Sequence, residues 1–358
     1  MSNLENSATN LIGNVNTKRV EWIDYAKGIG IVLVVYGHVI IGVSNSGVVE
    51  AATTNLQLFT KSSLDFLYCF HMALFFFISG LFVDGRANNS TNDFKNFFWK
   101  KVKTIAYPYL VWSIIQGLFY ALMSPYTNTK FNILDLPLRI IFIPIAQFWF
   151  LYILFAYHII FVLLKRFFNI YIILFISVIL YLISTNYAIE IYVVRGFAER
   201  FIYFVLGATT AKFLHEAANK MTNVQCVGLS LAFLCAQISI FFLVSVVLKL
   251  YIPREALLGF LLASLGILST LCLSVYLDRL KVLVFVRHLG SLSMPIYLVH
   301  LLGVVATRIF LQKILHINDL LLHIFAATVV GILFPLTLYS IAEKLQFPYL
   351  FSPDKRSS

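Results

Sequence analysis

The chain consists of long apolar runs separated by short polar segments. A helix that crosses a bilayer needs about 20 predominantly apolar residues, and several runs reach or approach that length. This pattern predicts an all-α fold, that of a polytopic integral membrane protein with about ten transmembrane helices. The predicted spans lie near residues 28–43, 64–83, 104–123, 147–164, 169–188, 197–214, 228–250, 256–277, 289–310 and 320–342.

The remaining segments divide the chain into three predicted regions. Residues 1–18 are polar and lack the apolar core of a cleavable signal, so we expect a flexible cytoplasmic tail. A ten-helix membrane domain follows over 19–343, and 344–358 form a cytoplasmic C-terminal tail. Within the domain, 133–146 is apolar but contains two prolines, which favours an interfacial or re-entrant segment over a further span.

Composition supports the membrane assignment. Of the 358 residues, 60% are hydrophobic and only 12% are charged, whereas about 25% are charged in soluble domains. This excludes disorder, a small secreted scaffold and a nucleic-acid-binding module. The four cysteines form no CxxC pair, so we expect neither a disulfide framework nor a metal site.

Charge predicts the orientation in the membrane. With ten spans, the termini and the loops after even-numbered spans share one side, and this side holds most of the 27 basic residues. The positive-inside rule therefore places both termini in the cytoplasm. The basic residues on this side are Lys18, Arg19, Lys27, Arg86, Lys95, Lys100, Lys101, Lys103, Lys165, Arg166, Lys212, Lys220, Arg279, Lys281, Arg287, Lys344, Lys355 and Arg356.

The first span carries ionisable side chains on one face. Lys27 and His38 are eleven residues apart, which corresponds to about 20° after whole turns and a rise of about 16 Å. Asp24 lies one turn before Lys27, where it either orients a catalytic base or forms a salt bridge. Ionisable groups inside a span favour a functional site; the alternative is that Lys27 snorkels and His38 bonds a neighbouring helix.

Small residues on two spans indicate close helix packing. Gly28, Gly30 and Gly37 leave the first span slim enough for a helix or a ligand to approach its backbone. Ser79 and Gly80 favour the same kind of contact on the second span.

Six sequence blocks occur in order between residue 19 and about residue 340. Together they resemble the membrane acyltransferase 3 family, and the first two are most similar to its fucose 4-O-acetylase-like branch. The blocks are WIDYAKGI (22–29) with GH (37–38), FHMALFFFISG (70–80), WKKVKTIAYP (99–108), FWFL (148–151), RFIYFVLG (200–207) and LGSLSMPIYLVH (289–300).

The resemblance implies a ten-span enzyme that moves an acyl group, usually acetyl from acetyl-CoA, onto a hydroxyl of a sugar or another acceptor. The basic residue and the histidine of the family's opening motif correspond to Lys27 and His38. Its basic positions before the third span correspond to Lys101 and Lys103, although family members often carry arginine there. We expect these lysines, with Arg86, to bind the donor without a metal, and Asp24 to be a second candidate catalytic residue.

Histidine suits proton abstraction because its ordinary pKa lies near 6.5. His38 acts either as the general base of a direct transfer or as the nucleophile of a covalent acyl-His intermediate. Candidate acceptor-binding residues are His71, Trp149, Arg200 and His300, for which packing, interfacial anchoring or ion pairing is the alternative interpretation.

These observations predict an O-acetyltransferase of a bacterial inner membrane that uses cytoplasmic acetyl-CoA to modify a surface or secreted glycan. The expected acceptor is a lipid-linked sugar or a polysaccharide such as an exopolysaccharide. Expected partners are the lipid bilayer and other polysaccharide-assembly proteins, with no nucleic acid. The alternative function is a transporter or flippase for polysaccharide precursors, and a different donor such as succinyl-CoA stays open.

Overall fold

The computed structural model describes residues 20–50, 52–83, 90–123, 131–187, 189–248 and 256–354. These residues form helices joined by turns, without a strand, so the predicted all-α fold is confirmed for this part of the chain. The predicted tail 1–18, the last four residues of the predicted tail 344–358, and Arg86 lie outside the described residues.

Fourteen α-helices follow one another in the described ranges, and π-helical turns extend or join several of them. They are α1 (Glu21–Ser44), α2 (Thr54–Tyr68), α3 (His71–Leu81), α4 (Thr91–Lys101), α5 (Tyr107–Leu122), α6 (Leu136–Ile141), α7 (Trp149–Phe167), α8 (Ile170–Asn186), α9 (Tyr192–Lys220), α10 (Asn223–Phe242), α11 (Ala256–Leu280), α12 (Val284–Ser291), α13 (Ser293–Ile309) and α14 (Leu320–Lys344).

Eight helical segments of the described chain are long and apolar enough to cross a membrane. This confirms a polytopic membrane protein. Two further helices lie at the positions of the predicted fifth and sixth spans: α8 has 17 residues, and α9 carries several charges along its 29 residues. The count of ten and the orientation stay predictions. The eight segments are Glu21–Ser44, Thr54–Leu81, Thr91–Leu122, Ile133–Phe167, Asn223–Ser245, Leu257–Leu280, Ser293–Ile314 and Leu320–Lys344.

Helix α1 lies at the centre of the bundle. Helices α3, α11, α12, α13 and α14 all pack against it. Its side chains are therefore buried on most sides, and Tyr25, Ile31, Val35 and Val39 are completely enclosed. A central helix is held by neighbours all round, so side chains that it carries are fixed relative to the whole bundle.

Glycine allows α12 to lie directly against the start of α1. A Cβ atom added to Gly28 would lie 1.9 Å from the carbonyl oxygen of Val286, and one added to Gly290 would lie 1.6 Å from that of Asp24. Because both obstacles are backbone atoms, no side-chain rotation relieves the overlap. The expected close approach to the first span is confirmed at Gly28.

The second span makes an equivalent contact with α9. A Cβ atom on Gly80 would lie 2.0 Å from the carbonyl oxygen of Phe204, and one on Gly207 would lie 2.0 Å from that of Phe77. The two backbones therefore cross without side chains between them. This confirms the predicted packing role of Gly80 and fixes the middle of α9 against α3.

Ionic contacts attach the N-terminal end of α1 to the segment between α11 and α12. Glu21 accepts hydrogen bonds from Lys281, at 2.9 Å, and from Arg287. Lys281 also donates to Asp278 at 2.8 Å. These bonds, the one to Asp278 first, raise the pKa of Lys281. Together with the glycine contact, they fix α1 at the end opposite to His38.

Candidate active site

A cavity of about 1260 Å³ opens at the end of the bundle where α1 finishes and α2, α7 and α9 begin. It is larger than the roughly 300–1,000 Å³ of a usual small-molecule pocket. Four of the predicted site residues line it: His38, His71, Trp149 and Arg200. The structure therefore brings together residues that come from four of the six sequence blocks, whereas the predicted site residue His300 does not line the cavity.

His38 lies on the wall of the cavity and is half-buried. It forms no hydrogen bond with any described residue, so its ring is available to a ligand in the cavity. The ring of His300 is the nearest aromatic neighbour that the structure records for it, at 5.1 Å between centroids. The continuous helix α1 carries His38 about 16 Å along the axis from Lys27, as the spacing predicted.

The tautomer of His300 follows from its hydrogen bonds. Its Nδ1 atom lies 2.8 Å from the carbonyl oxygen of Tyr297 and 3.1 Å from that of Ile296. Because a carbonyl oxygen only accepts, Nδ1 must carry the hydrogen. The Nε2 atom is then a lone-pair acceptor in the neutral ring, and it is buried without a hydrogen-bond partner among the described residues. His300 thus presents an unused acceptor next to His38.

A break in the second span places His71. Helix α2 ends at Tyr68 and α3 begins at His71, because Phe70 departs from helical geometry with φ −139° and ψ −27°. The Nδ1 atom of His71 donates to the carbonyl oxygen of Leu67 at 2.7 Å. Its other ring nitrogen is therefore the acceptor in the neutral ring. His71 faces the cavity that His38 also lines.

Arg200 is held in place from several directions. Its guanidinium donates to Glu199 at 3.0 Å and stacks over the ring of Trp149 at 5.0 Å. Glu199 also accepts a 2.6 Å hydrogen bond from Arg195, one turn away. Arg200 lines the cavity, as a residue that binds the acceptor would, and it is also ion-paired, as the alternative interpretation predicted. One face of Trp149 is occupied by this cation.

The segment before α7 forms another part of the wall. The side chains of Gln147 and Gln116 exchange two hydrogen bonds, at 2.8 and 3.1 Å. The hydroxyl of Tyr297 donates to the carbonyl oxygen of Gln147. Tyr297 is in the same helix as His300, so this bond ties the cavity wall to the helix that carries the acceptor nitrogen.

Asp24 and Lys27 do not line the cavity. Their side chains form a salt bridge with 3.5 Å between Nζ and Oδ1, and Asp24 is buried. Lys27 also lies over the ring of Phe82 at 5.6 Å. Asp24 precedes His38 by about 21 Å along the helix. Of the two predicted roles of Asp24, orienting a catalytic base or forming a salt bridge, the structure contains the salt bridge.

Lys101 and Lys103 have separate partners. The Lys101 ammonium lies 3.2 Å from Nε2 of the buried His158, and Lys103 pairs with Asp354 at 3.0 Å. His158, a buried histidine of α7, therefore contacts a predicted donor-binding lysine. The π-helical turn Val102–Ala106 changes the direction in which successive side chains point at this place.

Arg308 also lines the cavity, although it was not among the predicted site residues. It is 7% exposed and lies near the end of α13, one of the spanning segments. An ionisable residue inside a predicted span was the available signal. Lys61, from α2, is a second cavity residue that was missed, and its exposed position offered no such signal.

Comparison with known families adds one finding. A family model described as an acyltransferase domain matches residues 20–340. No curated protein and no solved structure matches the chain. Among the residues that the structure describes, no group of three His, Cys, Asp or Glu side chains could hold a metal ion.

Proposed function

The chain belongs to the acyltransferase 3 family, and we propose that it is a membrane O-acetyltransferase that transfers acetyl from cytoplasmic acetyl-CoA to a glycan hydroxyl on the outer side. The acceptor is a lipid-linked sugar or a polysaccharide at a bacterial inner membrane, where other polysaccharide-assembly proteins supply or remove it. The resemblance to the fucose 4-O-acetylase-like branch is part of this proposal.

One observation carries the proposal: His38 has no hydrogen-bond partner in the described chain and faces a cavity large enough for more than one sugar unit. A histidine that only stabilised helix packing would bond to a neighbouring helix. A ring that is available inside a large pocket is instead suited to proton transfer with a bound ligand.

In the proposed reaction, a ring nitrogen of His38 takes the proton from the acceptor hydroxyl. The hydroxyl oxygen attacks the thioester carbonyl carbon, a C–O bond forms, and the C–S bond breaks. The CoA thiolate then leaves and receives the proton from His38. Because Nε2 of His300 is an unused acceptor 5.1 Å away between ring centroids, it can hold the second N–H of His38 once substrate orders the site.

A covalent acyl-His38 intermediate is the competing mechanism. Direct transfer predicts a single step with both substrates bound. An acylated enzyme predicts that incubation with labelled acetyl-CoA alone leaves label on the protein, and that His38→Ala removes it. Absence of label on the protein supports direct transfer.

For the donor we propose the end of the bundle that holds Lys27, Lys101 and Lys103. Helix α1 leads from Lys27 to His38, and Ile31 and Val34 between them are buried. A Cβ atom on Gly30 or Gly37 would meet only side chains, those of Phe75 and Leu74 or that of Tyr68, so the donor would have to displace side chains and not backbone to reach His38. An ammonium group binds phosphate as a point charge. The anionic part of acetyl-CoA would displace the present partners of Lys101 and Lys103.

The donor proposal is tested by thermal unfolding of the purified protein with acetyl-CoA, with CoA and without ligand. A ligand at about 100 times its Kd stabilises by about 2.7 kcal/mol, which is readily measured. We expect a rise in Tm that weakens in the double variant Lys101→Ala, Lys103→Ala. No rise at millimolar acetyl-CoA would refute this donor and favour succinyl-CoA or the flippase alternative, which requires no acyl-CoA.

A further inference from the structure

Arg308 is a buried cation of the cavity, and no described residue pairs with it. It is 7% exposed, it lines the cavity, and it forms no hydrogen bond or ion pair in the part of the chain that the structure describes. Its helical neighbours on the same wall, Val304, Val305 and Leu301, are apolar. An ionised group taken out of water in this way is costly unless a partner compensates it.

The other arginines of the cavity show the usual arrangement. Arg195 and Arg200 share the carboxylate of Glu199, at 2.6 and 3.0 Å. The remaining carboxylate, Asp65, lies one helical turn from Lys61 on α2, at an exposed position. Four basic and two acidic residues therefore line the cavity, and its charge is positive when the histidines are neutral.

We propose that the acceptor carries an oxyanion group, a carboxylate or a phosphate, which binds to Arg308. The planar guanidinium fits either group with two parallel hydrogen bonds. This inference rests on the proposed function, because it identifies the chemical class of the acceptor that the same cavity holds.

The distance along α13 indicates where the anion is on the acceptor. Arg308 follows His300 by eight residues on one helix, which is about 12 Å along the axis. The anion is therefore on a neighbouring unit of the glycan or on its carrier, not beside the hydroxyl that reaches His38. A neutral sugar hydroxyl can thus be acetylated while a distant charge on the acceptor, bound to Arg308, keeps that hydroxyl at His38.

Two sources supply this chemistry: a uronate in the glycan and the phosphate of a polyprenyl carrier. Binding is measured by thermal shift of the purified full-length protein with two matched pairs of probes. The first pair is an oligosaccharide of glucose and glucuronate and its all-glucose counterpart. The second pair is decaprenyl phosphate and decaprenol.

We expect at least one anionic probe to bind about tenfold more tightly than its neutral counterpart. Arg308→Gln should remove that preference and Arg308→Lys should keep part of it. Arg166→Gln, which removes an exposed arginine outside the cavity, should change nothing. Preference within the first pair places the anion on the glycan, and preference within the second places it on the carrier.

The inference is overturned if neither anion binds better than its neutral counterpart, or if Arg308→Gln keeps the preference. Both measurements are made without acetyl-CoA, so they are independent of the acyl-transfer reaction. Anion binding without any acetyl transfer would refute the proposed function alone. Acetyl transfer with no effect of acceptor charge would refute the inference alone.

Discussion

At the scale of single residues, the orientation of the His300 ring matters more than its burial. Backbone carbonyls of its own helix hold Nδ1–H, which leaves Nε2 as a buried acceptor in a ring whose centroid lies 5.1 Å from that of His38. Because Nδ1 of His300 is already bonded, only its Nε2 atom can accept a hydrogen bond from a second ring and so orient that ring. In the proposed mechanism, His300 is therefore a positioning residue, whereas His38 contacts the acceptor.

This assignment predicts that His300→Phe lowers kcat about 10- to 100-fold, because the aromatic packing is kept and the acceptor nitrogen is lost. The KM for acetyl-CoA should stay the same, and His300→Gln should restore part of kcat. The control is His323→Phe, since His323 is equally buried on α14 but bonds to Ile317 outside the cavity. Equal kcat for His300→Phe and wild type would contradict the role.

The two arginines Arg200 and Arg308 should respond differently to loss of charge. Arg200→Gln breaks an ion pair and a cation–π contact, so we expect a loss of about 1 kcal/mol in the free energy of unfolding. Arg308→Gln removes a buried charge that has no described partner, so the unliganded protein should be as stable or more stable. Thermal unfolding without ligand measures both; a large loss in Arg308→Gln would show that the charge is compensated within the protein.

The sequence predicted the site only partly, for physical reasons that differ between residues. His38 was predicted because it is an ionisable residue inside a span on the same face as Lys27, and His71, Trp149 and Arg200 lie within the motif blocks; the structure places all four on one cavity. Arg308 lies beyond the last residue of any motif block, so the resemblance did not reach it. Which ring nitrogen of His300 is an acceptor depends on backbone geometry, which residue spacing cannot provide.

At the scale of helices, the contact between α1 and α12 positions the candidate base. Gly28 and Gly290 let the two backbones touch, and Glu21 then meets Lys281 and Arg287 at the same end. The small residues in α1 were visible in the sequence. Their partner was not, because the eight-residue helix α12 is too short to stand out as a separate span.

Gly290→Ala should strongly destabilise the protein, because its Cβ atom would overlap the carbonyl oxygen of Asp24. Relief requires the two helices to separate, and overpacking of this kind costs about 1–3 kcal/mol or more. The matched control is Gly228→Ala on α10, where a Cβ atom would meet nothing within 4 Å. This change should be neutral or stabilise the protein by about 0.5–1 kcal/mol. Equal Tm values for the two variants would contradict the close contact.

At the scale of the whole molecule, length and hydropathy predict where most of the membrane spans lie. They do not predict which side of the membrane each end faces, which depends on the distribution of basic residues. The eight helical segments that are long and apolar enough to cross a membrane coincide with predicted spans, whereas α9 mixes its apolar residues with charges. Three of these charged residues line the cavity: Arg195, Glu199 and Arg200, which lie in the first turns of α9. Charged residues at a cavity thus lower the hydropathy by which a span is recognised in the sequence.

The predicted orientation places Glu50 outside and Lys344 in the cytoplasm. In a variant whose native cysteines are replaced, a membrane-impermeant maleimide added to intact cells should label Glu50→Cys and leave Lys344→Cys unlabelled. Permeabilised cells should label both, since both positions are exposed. The reverse labelling pattern would show that the protein has the opposite orientation, with the cavity on the cytoplasmic side.

The central claim is that His38 performs acetyl transfer from acetyl-CoA to an envelope glycan. Its most direct test uses inverted membrane vesicles from source cells that lack their own copy and express wild type, His38→Ala or His215→Ala. His215 is an exposed histidine on α9 away from the cavity, which makes it the control. With labelled acetyl-CoA, we expect wild type and His215→Ala to label the glycan fraction and His38→Ala to fall at least about 100-fold. Equal labelling with His38→Ala, or none with wild type, would contradict the account.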